Sequence, residues 1–396
     1  MKNAPTLPFE PELDRCQIPQ ALAMLFSGGN GGVAYLGGSV TQGRGASNTA
    51  ETSWRALFQK YLMQYHRRYY AHVGAIVSGL GGCNSPIAAF FVQRNVLFAK
   101  PALTFVEFCL NDRHVPDALL AAKGIEGVVR QLVMAEERCD VVLLGAGCNP
   151  RGITPDGHRG PVDHGLHRKI AAHYDLPFFD LQAYLYDQLE QRGQTWEEHI
   201  VPKIEYDPNY HLNDYGQGLY CDAICQDFEG QIRRFQAADG QLSYPPMPEP
   251  LFSDELQYVK LINPARDRRS VSLEGQWETK PEGLVPWYCD SVLMGKPGAK
   301  LRLQFTGTAI MVWALVSYNG LNVRATLDGT EVSGMYLRYT LEFGRGFVLA
   351  HGLPCAKHVL ELTVDEPSKR QHKLEYPCAQ VAYLGIANKP GGSGRS

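Results

Sequence analysis

The chain has 396 residues, which is long for one hydrophobic core and predicts two domains. Its 38 basic and 41 acidic residues leave a formal charge of −3 without any long run of Lys and Arg, so neither nucleic acid nor an anionic membrane is expected as a partner. The N-terminal segment lacks the apolar core of a signal peptide, and no apolar run approaches the ~20 residues of a membrane span. We therefore expect a cytoplasmic protein whose ten cysteines are buried thiols rather than disulfides.

Apolar runs alternate with helical patterns in the first part of the chain. The runs predict strands over residues 33–36, 71–77, 103–108, 141–145 and 177–180. The segments between and after them predict helices over residues 53–66, 86–99, 117–138, 163–173, 181–192 and 213–235. Because the strands are apolar throughout, we expect a parallel sheet with helices on both faces, a three-layer α/β/α sandwich with its active site at the carboxyl ends of strands.

The sequence pattern changes after the last of these helices. Residues 236–252 are rich in proline and predict a linker. Residues 253–388 contain short alternating segments separated by Gly, Asp and Pro turns, which predicts an all-β, jelly-roll-like sandwich. The first domain would then span residues 1–235, and residues 389–396 resemble an artificial tail.

A serine follows the first predicted strand, in the segment YLGGSVTQG that contains Ser39. Strand and turn together would fix the hydroxyl, and the small neighbouring residues would let a substrate carbonyl approach it. Such a glycine–serine turn is by itself a weak signal, because most are ordinary turns.

Three further polar segments lie after predicted strands or before the last predicted helix. The glycine-rich turn around Gly82 offers backbone N–H groups to a bound anion. Asn111 follows the third strand, where its amide can donate to a developing oxyanion. His211 precedes the last helix, where an imidazole can serve as a general base.

The four segments, in this order, resemble the SGNH (GDSL-like) hydrolases, whose sequence blocks centre on Ser, Gly, Asn and His. The segments GGSVTQG and EFCLND resemble those of a branch of bacterial carbohydrate esterases within this superfamily. The resemblance to the superfamily covers about residues 30–235. It implies that Ser39 is the nucleophile and that His211 accepts its proton. It also implies an oxyanion hole built from the Ser39 and Gly82 backbone N–H groups and the Asn111 side chain.

The acidic residue of the triad departs from the family pattern. The family usually places this acid three residues before the histidine, where this chain has Pro208, and Asp207 stands one residue earlier. We expect either that Asp207 orients His211 through an altered loop or that a backbone carbonyl does so in a Ser–His dyad.

Further polar and aromatic residues have weaker signals. Gln42, Asp112 and Trp196 are candidates to border the substrate, although Asp112 more readily anchors its loop than reacts, and the role of Trp196 stays open. Four polar residues lie close together in sequence and would either bind a metal or form the polar start of an ordinary helix. The second interpretation is favoured for this group, which consists of His158, Asp163, His164 and His167. We expect no metal and no cofactor.

The second domain resembles accessory modules fused to sugar esterases. Its aromatic residues would either bind carbohydrate or fill the core of the sandwich. A third possibility is that a loop of this module narrows the site near Ser39. The candidates for such contacts are Trp287, Tyr288, Tyr318, Tyr336 and Tyr339.

Three functions follow from these observations. The first is a serine esterase that removes O-acetyl groups from manno- or xylo-oligosaccharides, with an acetylated oligosaccharide as its partner. The second is a short-chain lipid or thioester hydrolase, and the third is a non-catalytic carbohydrate-binding protein. The sequence leaves the oligomeric state open, a homodimer included.

Overall fold

The first part of the chain folds around one parallel sheet. The computed structural model describes residues 15–27, 32–65, 74–152, 160–199, 209–280, 289–367 and 376–388. The strands of the sheet are β1 (Val33–Gly37), β2 (Ala75–Gly79), β3 (Leu103–Glu107), β4 (Asp140–Leu144) and β5 (Phe178–Phe179). They pair in the order β2-β1-β3-β4-β5. From β1 the chain first adds β2 on one side and then β3 to β5 on the other, so the strand order reverses between β1 and β3. Open α/β sheets form their binding crevice at such a point.

The helices of this domain include several short ones at strand ends. They are α1 (Pro19–Ser27), α2 (Ser39–Gln42), α3 (Trp54–Tyr65), α4 (Ser85–Ala89), α5 (Val92–Asn95), α6 (Cys109–Asp112), α7 (Ala118–Val133), α8 (Gly165–Tyr174), α9 (Leu181–Gln191) and α10 (Asp214–Ala237). Every residue of β1, β3 and β4 is buried, as expected for strands covered on both faces. The predicted α/β class is thus confirmed.

The single helix predicted over residues 86–99 is wrong. The segment forms α4, α5 and a 3-10 helix over Leu97–Ala99. Between α4 and α5, the ring of Phe91 packs against Trp313 and Tyr383 of the second domain, with centroid distances of 5.0 and 5.7 Å. The interruption of the helix coincides with this interdomain contact, which helical periodicity does not reveal.

A helix that the sequence pattern did not predict precedes the first strand. The helix α1 begins with Pro19, a residue that suits the first turn because it has no N–H to leave unpaired. The carboxylate of Asp140, at the start of β4, accepts the backbone N–H of Ala21 at 2.9 Å. This bond fastens α1 to the amino-terminal edge of the sheet.

The second part of the chain is a β-sandwich, as predicted. Its strands are β6 (Val259–Ile262), β7 (Val271–Glu274), β8 (Trp277–Lys280), β9 (Val292–Gly295), β10 (Lys300–Gly307), β11 (Ala309–Val316), β12 (Val323–Leu327), β13 (Thr330–Met335), β14 (Phe343–Ala350), β15 (Ala356–Val364) and β16 (Ala379–Ala387). One antiparallel sheet has the order β13-β12-β15-β10-β7 and the other β14-β11-β16-β9-β8, with β6 also paired to β16. Burial alternates along β10, which indicates one face in the core and one in solvent.

The segment that joins the two domains is held against α7. The buried carboxylate of Glu126 accepts the backbone N–H groups of residues 251–253 at 2.5–2.8 Å. One turn earlier on α7, Lys123 pairs with Glu255 at 2.5 Å, and both side chains are largely buried. These contacts fix where the β-sandwich begins relative to the α/β domain. Within the described ranges, no helix is long and apolar enough to cross a bilayer.

Candidate active site

Ser39 lies at the carboxyl end of β1, in the crevice between β1 and β3. The strand ends at Gly37, Gly38 forms the N-cap, and Ser39 is the first residue of α2. Because the first amides of a helix have no intrahelical acceptor, the N–H of Ser39 is available to a ligand. A Cβ at Gly37 would lie only 2.2 Å from the Thr41 hydroxyl, so the turn needs glycine there.

His211 reaches this serine from the loop before α10. Its Nε2 lies 2.8 Å from Ser39 Oγ, and its side chain is only 2% exposed. The loop is braced by Gly45, which approaches the Leu212 carbonyl so closely that a Cβ would lie 2.4 Å from that oxygen. Gly45 has a φ of +99°, a conformation that favours glycine. The two loops thus bring an imidazole and a hydroxyl within hydrogen-bond distance from positions far apart in sequence.

The turn around Gly82 follows β2 and lies beside α2. The N–H of Cys83 donates to the Leu80 carbonyl at 3.0 Å, and Gly82 has a φ of +74°, as the third position of a type II turn requires. A Cβ on Gly82 would meet no atom within 4 Å among the described residues, so this residue faces open space. The Asn84 side chain then caps α4 by accepting the N–H of Ile87.

Asn111 lies next to the serine turn from the β3 side. It is part of the short helix α6 and is half-buried. A Cβ added to Gly38 would lie 2.1 Å from its Oδ1, so the amide group occupies the space directly beside the residue that precedes Ser39. This position allows the side chain to act on a group bound at Ser39.

The carboxylate of Asp112 holds two segments together. Its Oδ1 accepts the N–H of Ser85 at 2.7 Å, and its Oδ2 lies 3.1 Å from His167 Nε2. The side chains of Asp112 and His167 are both almost fully buried. The geometry therefore supports the loop-anchoring role and not the substrate contact that the sequence also suggested. The importance of His167 to this loop was missed.

The remaining predicted site residues divide into three cases. Trp196 is 3% exposed and packs against Tyr186 in the core, so it does not form an exposed wall of the site. Gln42 is half-buried, and its Oε1 lies beside Gly81 of the glycine turn. Asp207 lies outside the described residues, so its role in a triad stays a prediction. The following residues lie outside them as well: His158, Pro208, Trp287 and Tyr288.

Two histidines at the start of α8 make polar contacts within the fold. His164 Nε2 lies 3.0 Å from the Ala146 carbonyl, and burial lowers its pKa. His167 is engaged by Asp112 as described above. Across the described parts of the chain, no group of three or more His, Cys, Asp or Glu side chains is arranged to hold a metal ion.

A cavity of about 790 Å³ extends from the glycine turn along the edge strand β2. Its lining includes Gln42 of α2 and Leu80, which follows β2, together with Arg94 and Asp290. The two charged residues form an ion pair at 2.7 Å between the domains. Phe98 contributes an exposed ring to the same wall. The site thus adjoins a cleft that is large enough for a ligand of several rings.

A serine hydroxyl paired with an imidazole at the carboxyl edge of a parallel sheet is the arrangement of a serine hydrolase. Residues 35–219, slightly less than half of the chain, match the model of the GDSL-like lipase/acylhydrolase family. The predicted resemblance is thereby confirmed. No curated protein sequence matches the chain significantly.

Solved structures share the two-domain fold. One is a two-domain esterase (CEX) active on acetylated mannans, co-crystallized with mannopentaose, with 18% identity, a TM-score of 0.76 and coverage of 95% of this chain and 96% of that one. Another structure of a two-domain esterase (CEX) active on acetylated mannans has 19% identity and a TM-score of 0.77, and covers 94% of this chain and 95% of that one. At these identities the likeness shows the fold, an α/β domain followed by a β-sandwich.

Proposed function

We propose that this protein is a serine esterase that removes O-acetyl groups from oligosaccharides of the manno- or xylo- type. The observation that carries the proposal is the 2.8 Å contact between Ser39 Oγ and His211 Nε2, with Asn111 beside the serine turn. The match to an acylhydrolase family model supports ester cleavage, and the two-domain fold shared with an esterase active on acetylated mannans supports a sugar ester.

The reaction would proceed through an acetyl-enzyme. Ser39 Oγ attacks the acetyl carbonyl carbon while His211 Nε2 takes its proton, and the carbonyl oxygen becomes an oxyanion. The N–H groups of Ser39 and Gly82 and the amide of Asn111 would stabilise that oxyanion. The sugar oxygen then leaves with the proton held by His211. Water, activated by the same imidazole, attacks the acetyl-enzyme and releases acetate.

The sugar would occupy the cleft beside the glycine turn. Polar groups at Gln42 and Arg94 can bond hydroxyls, and the Phe98 ring can contact a pyranose face. Among the candidate aromatics of the second domain, Tyr318, Tyr336 and Tyr339 are exposed and available for contacts further along a chain. A cytoplasmic location, which the sequence predicts, would favour oligosaccharides over intact polymer as substrates.

The test compares aryl esters of increasing acyl length and acetylated manno- and xylo-oligosaccharides. Wild type and Ser39→Ala are assayed, with Ser27→Ala as the control because Ser27 is an exposed serine at the end of α1. We expect turnover confined to acetyl esters, abolished in Ser39→Ala and unchanged in Ser27→Ala. Rates that rise with acyl length would favour a lipid or thioester hydrolase, and the absence of Ser39-dependent turnover on every ester would favour a non-catalytic binding protein.

A further inference from the structure

Glu107 is a buried acid directly behind the proposed active site. It is the last residue of β3, lies abreast of Gly37 in the β1–β3 pairing, and is 1% exposed. A Cβ on Gly37 would lie 2.5 Å from the Glu107 carbonyl oxygen. Glu107 thus lies next to the turn that carries Ser39 and precedes Asn111 by four residues. The mechanism described above does not use its carboxyl group.

The surroundings of this carboxyl group disfavour its ionised form. Burial and the negative charge of Asp112 raise the pKa of Glu107 to about 8. The Thr41 hydroxyl and the Leu110 amide lie close enough to oppose this shift in part, but neither makes a hydrogen bond of normal geometry with either carboxyl oxygen. Among the described residues, both oxygens are without such a partner.

In the described part of the chain, the titratable groups that face Glu107 come from two further elements. Cys109 and Asp112 lie on α6, and Tyr220 lies on α10. Burial raises the pKa of the Cys109 thiol and of the Tyr220 phenol well above their usual ranges, so both stay neutral. The charged group that acts on Glu107 near neutral pH is therefore Asp112, and its charge is of the same sign.

We propose that Glu107 is a positioning residue that must be protonated for the site to stabilise an oxyanion, and that its ionisation sets the alkaline limit of hydrolysis. A neutral carboxyl group near the Thr41 hydroxyl and the Leu110 amide adds no charge next to the serine turn. An ionised one places a second negative charge beside Asp112, where it opposes the oxyanion that develops on the other side of the turn. This inference rests on the proposed function.

The test is the dependence of kcat on pH for an aryl acetate. We expect kcat of wild type to fall above a pH of about 8, the value at which Glu107 ionises. Glu107→Gln, which keeps the shape but cannot ionise, should retain kcat near neutrality and lose the alkaline decline. Asp140→Asn is the matched control, because Asp140 is another buried carboxylate with a raised pKa but lies at the opposite end of the sheet. It should keep the alkaline decline.

Asp112→Asn keeps the proposal testable if Glu107→Gln does not fold. Removal of the Asp112 charge lowers the pKa of Glu107, so the alkaline decline should begin at lower pH. Infrared spectra provide a readout without turnover: a protonated-carboxyl band of wild type at neutral pH should be lost in Glu107→Gln and kept in Asp140→Asn. An unchanged decline in Glu107→Gln, or the absence of that band, would overturn the inference. Loss of all Ser39-dependent hydrolysis would instead overturn the proposed function, and the infrared band would still decide whether Glu107 is protonated.

Discussion

Substitution of Gly38 by alanine should impair the site through a single steric contact. The new Cβ would lie 2.1 Å from Asn111 Oδ1 and 3.1 Å from its Cγ. Non-bonded heavy atoms prefer separations of about 3.5 Å, so the amide group must retreat by about 1 Å or more. The φ of Gly38 is −86°, outside the left-handed region, so alanine should not force the backbone to rearrange. The perturbation is therefore confined to the position of the Asn111 side chain.

The expected cost follows from the role of the amide as an oxyanion donor. Loss of one donor costs about 2.7–4 kcal/mol in the transition state, which corresponds to a fall in kcat of about 10²–10³-fold. A displacement of about 1 Å is enough to remove most of such a contribution. Because the oxyanion exists only in the transition state and the tetrahedral intermediate, KM should change much less than kcat.

Steady-state hydrolysis of an aryl acetate measures both parameters. Asn111→Ala should reproduce the loss in kcat, and the double variant should be no worse than Asn111→Ala alone, because both changes remove the same interaction. Gly32→Ala is the control, since a Cβ at that residue near the start of β1 would make only an ordinary contact of 3.4 Å with Ile76. If kcat of Gly38→Ala stays within about threefold of wild type, the amide does not act from the position seen here.

Two further predictions concern buried charges. Lys123→Met leaves Glu255 buried without its cation and should lower the free energy of unfolding by about 3–5 kcal/mol. The double variant with Glu255→Met should recover part of that loss. Urea unfolding measures both stabilities, and equal stabilities of wild type and Lys123→Met would contradict the expectation. His167→Ala removes the partner of Asp112 Oδ2 and should lower kcat about tenfold through the loosened Asn111 loop, whereas His167→Gln keeps a donor and should retain more activity. Equal kcat values for the two His167 variants would count against this role.

The fold class was predictable because the determinants are local. The strand before Ser39 is apolar at every position, and the polar residues that follow β1 and β3 mark the edge of the sheet where ligands bind. The alternation along β10 likewise identifies a sandwich strand. In these segments the order of apolar and polar residues within a single strand shows which of its faces are buried.

The features that the sequence missed or left open depend on contacts between distant segments. The helix break next to Phe91 accompanies a contact with aromatic rings more than 200 residues later in the chain. Trp196 resembles a pocket residue because it is aromatic and precedes the histidine loop, yet its burial depends on how α9 packs beside it. Asp112 stands next to Asn111 in sequence, but its role depends on His167 from α8. No local pattern reports such partners.

The same reasoning explains why the proposed reactive pair was easier to find than the residues that support it. Both residues lie in segments with a recognisable local pattern. Ser39 lies in a glycine turn after a strand, and His211 lies in a polar loop before a helix. Three residues are proposed to support the site. Gly38 leaves space for the Asn111 amide, Glu107 would hold a neutral carboxyl group beside the serine turn, and Asp112 joins two segments. Each of these functions involves two elements that meet only in the folded chain. A sequence motif therefore indicates which atoms react, while the folded structure shows which residues determine their positions and protonation states.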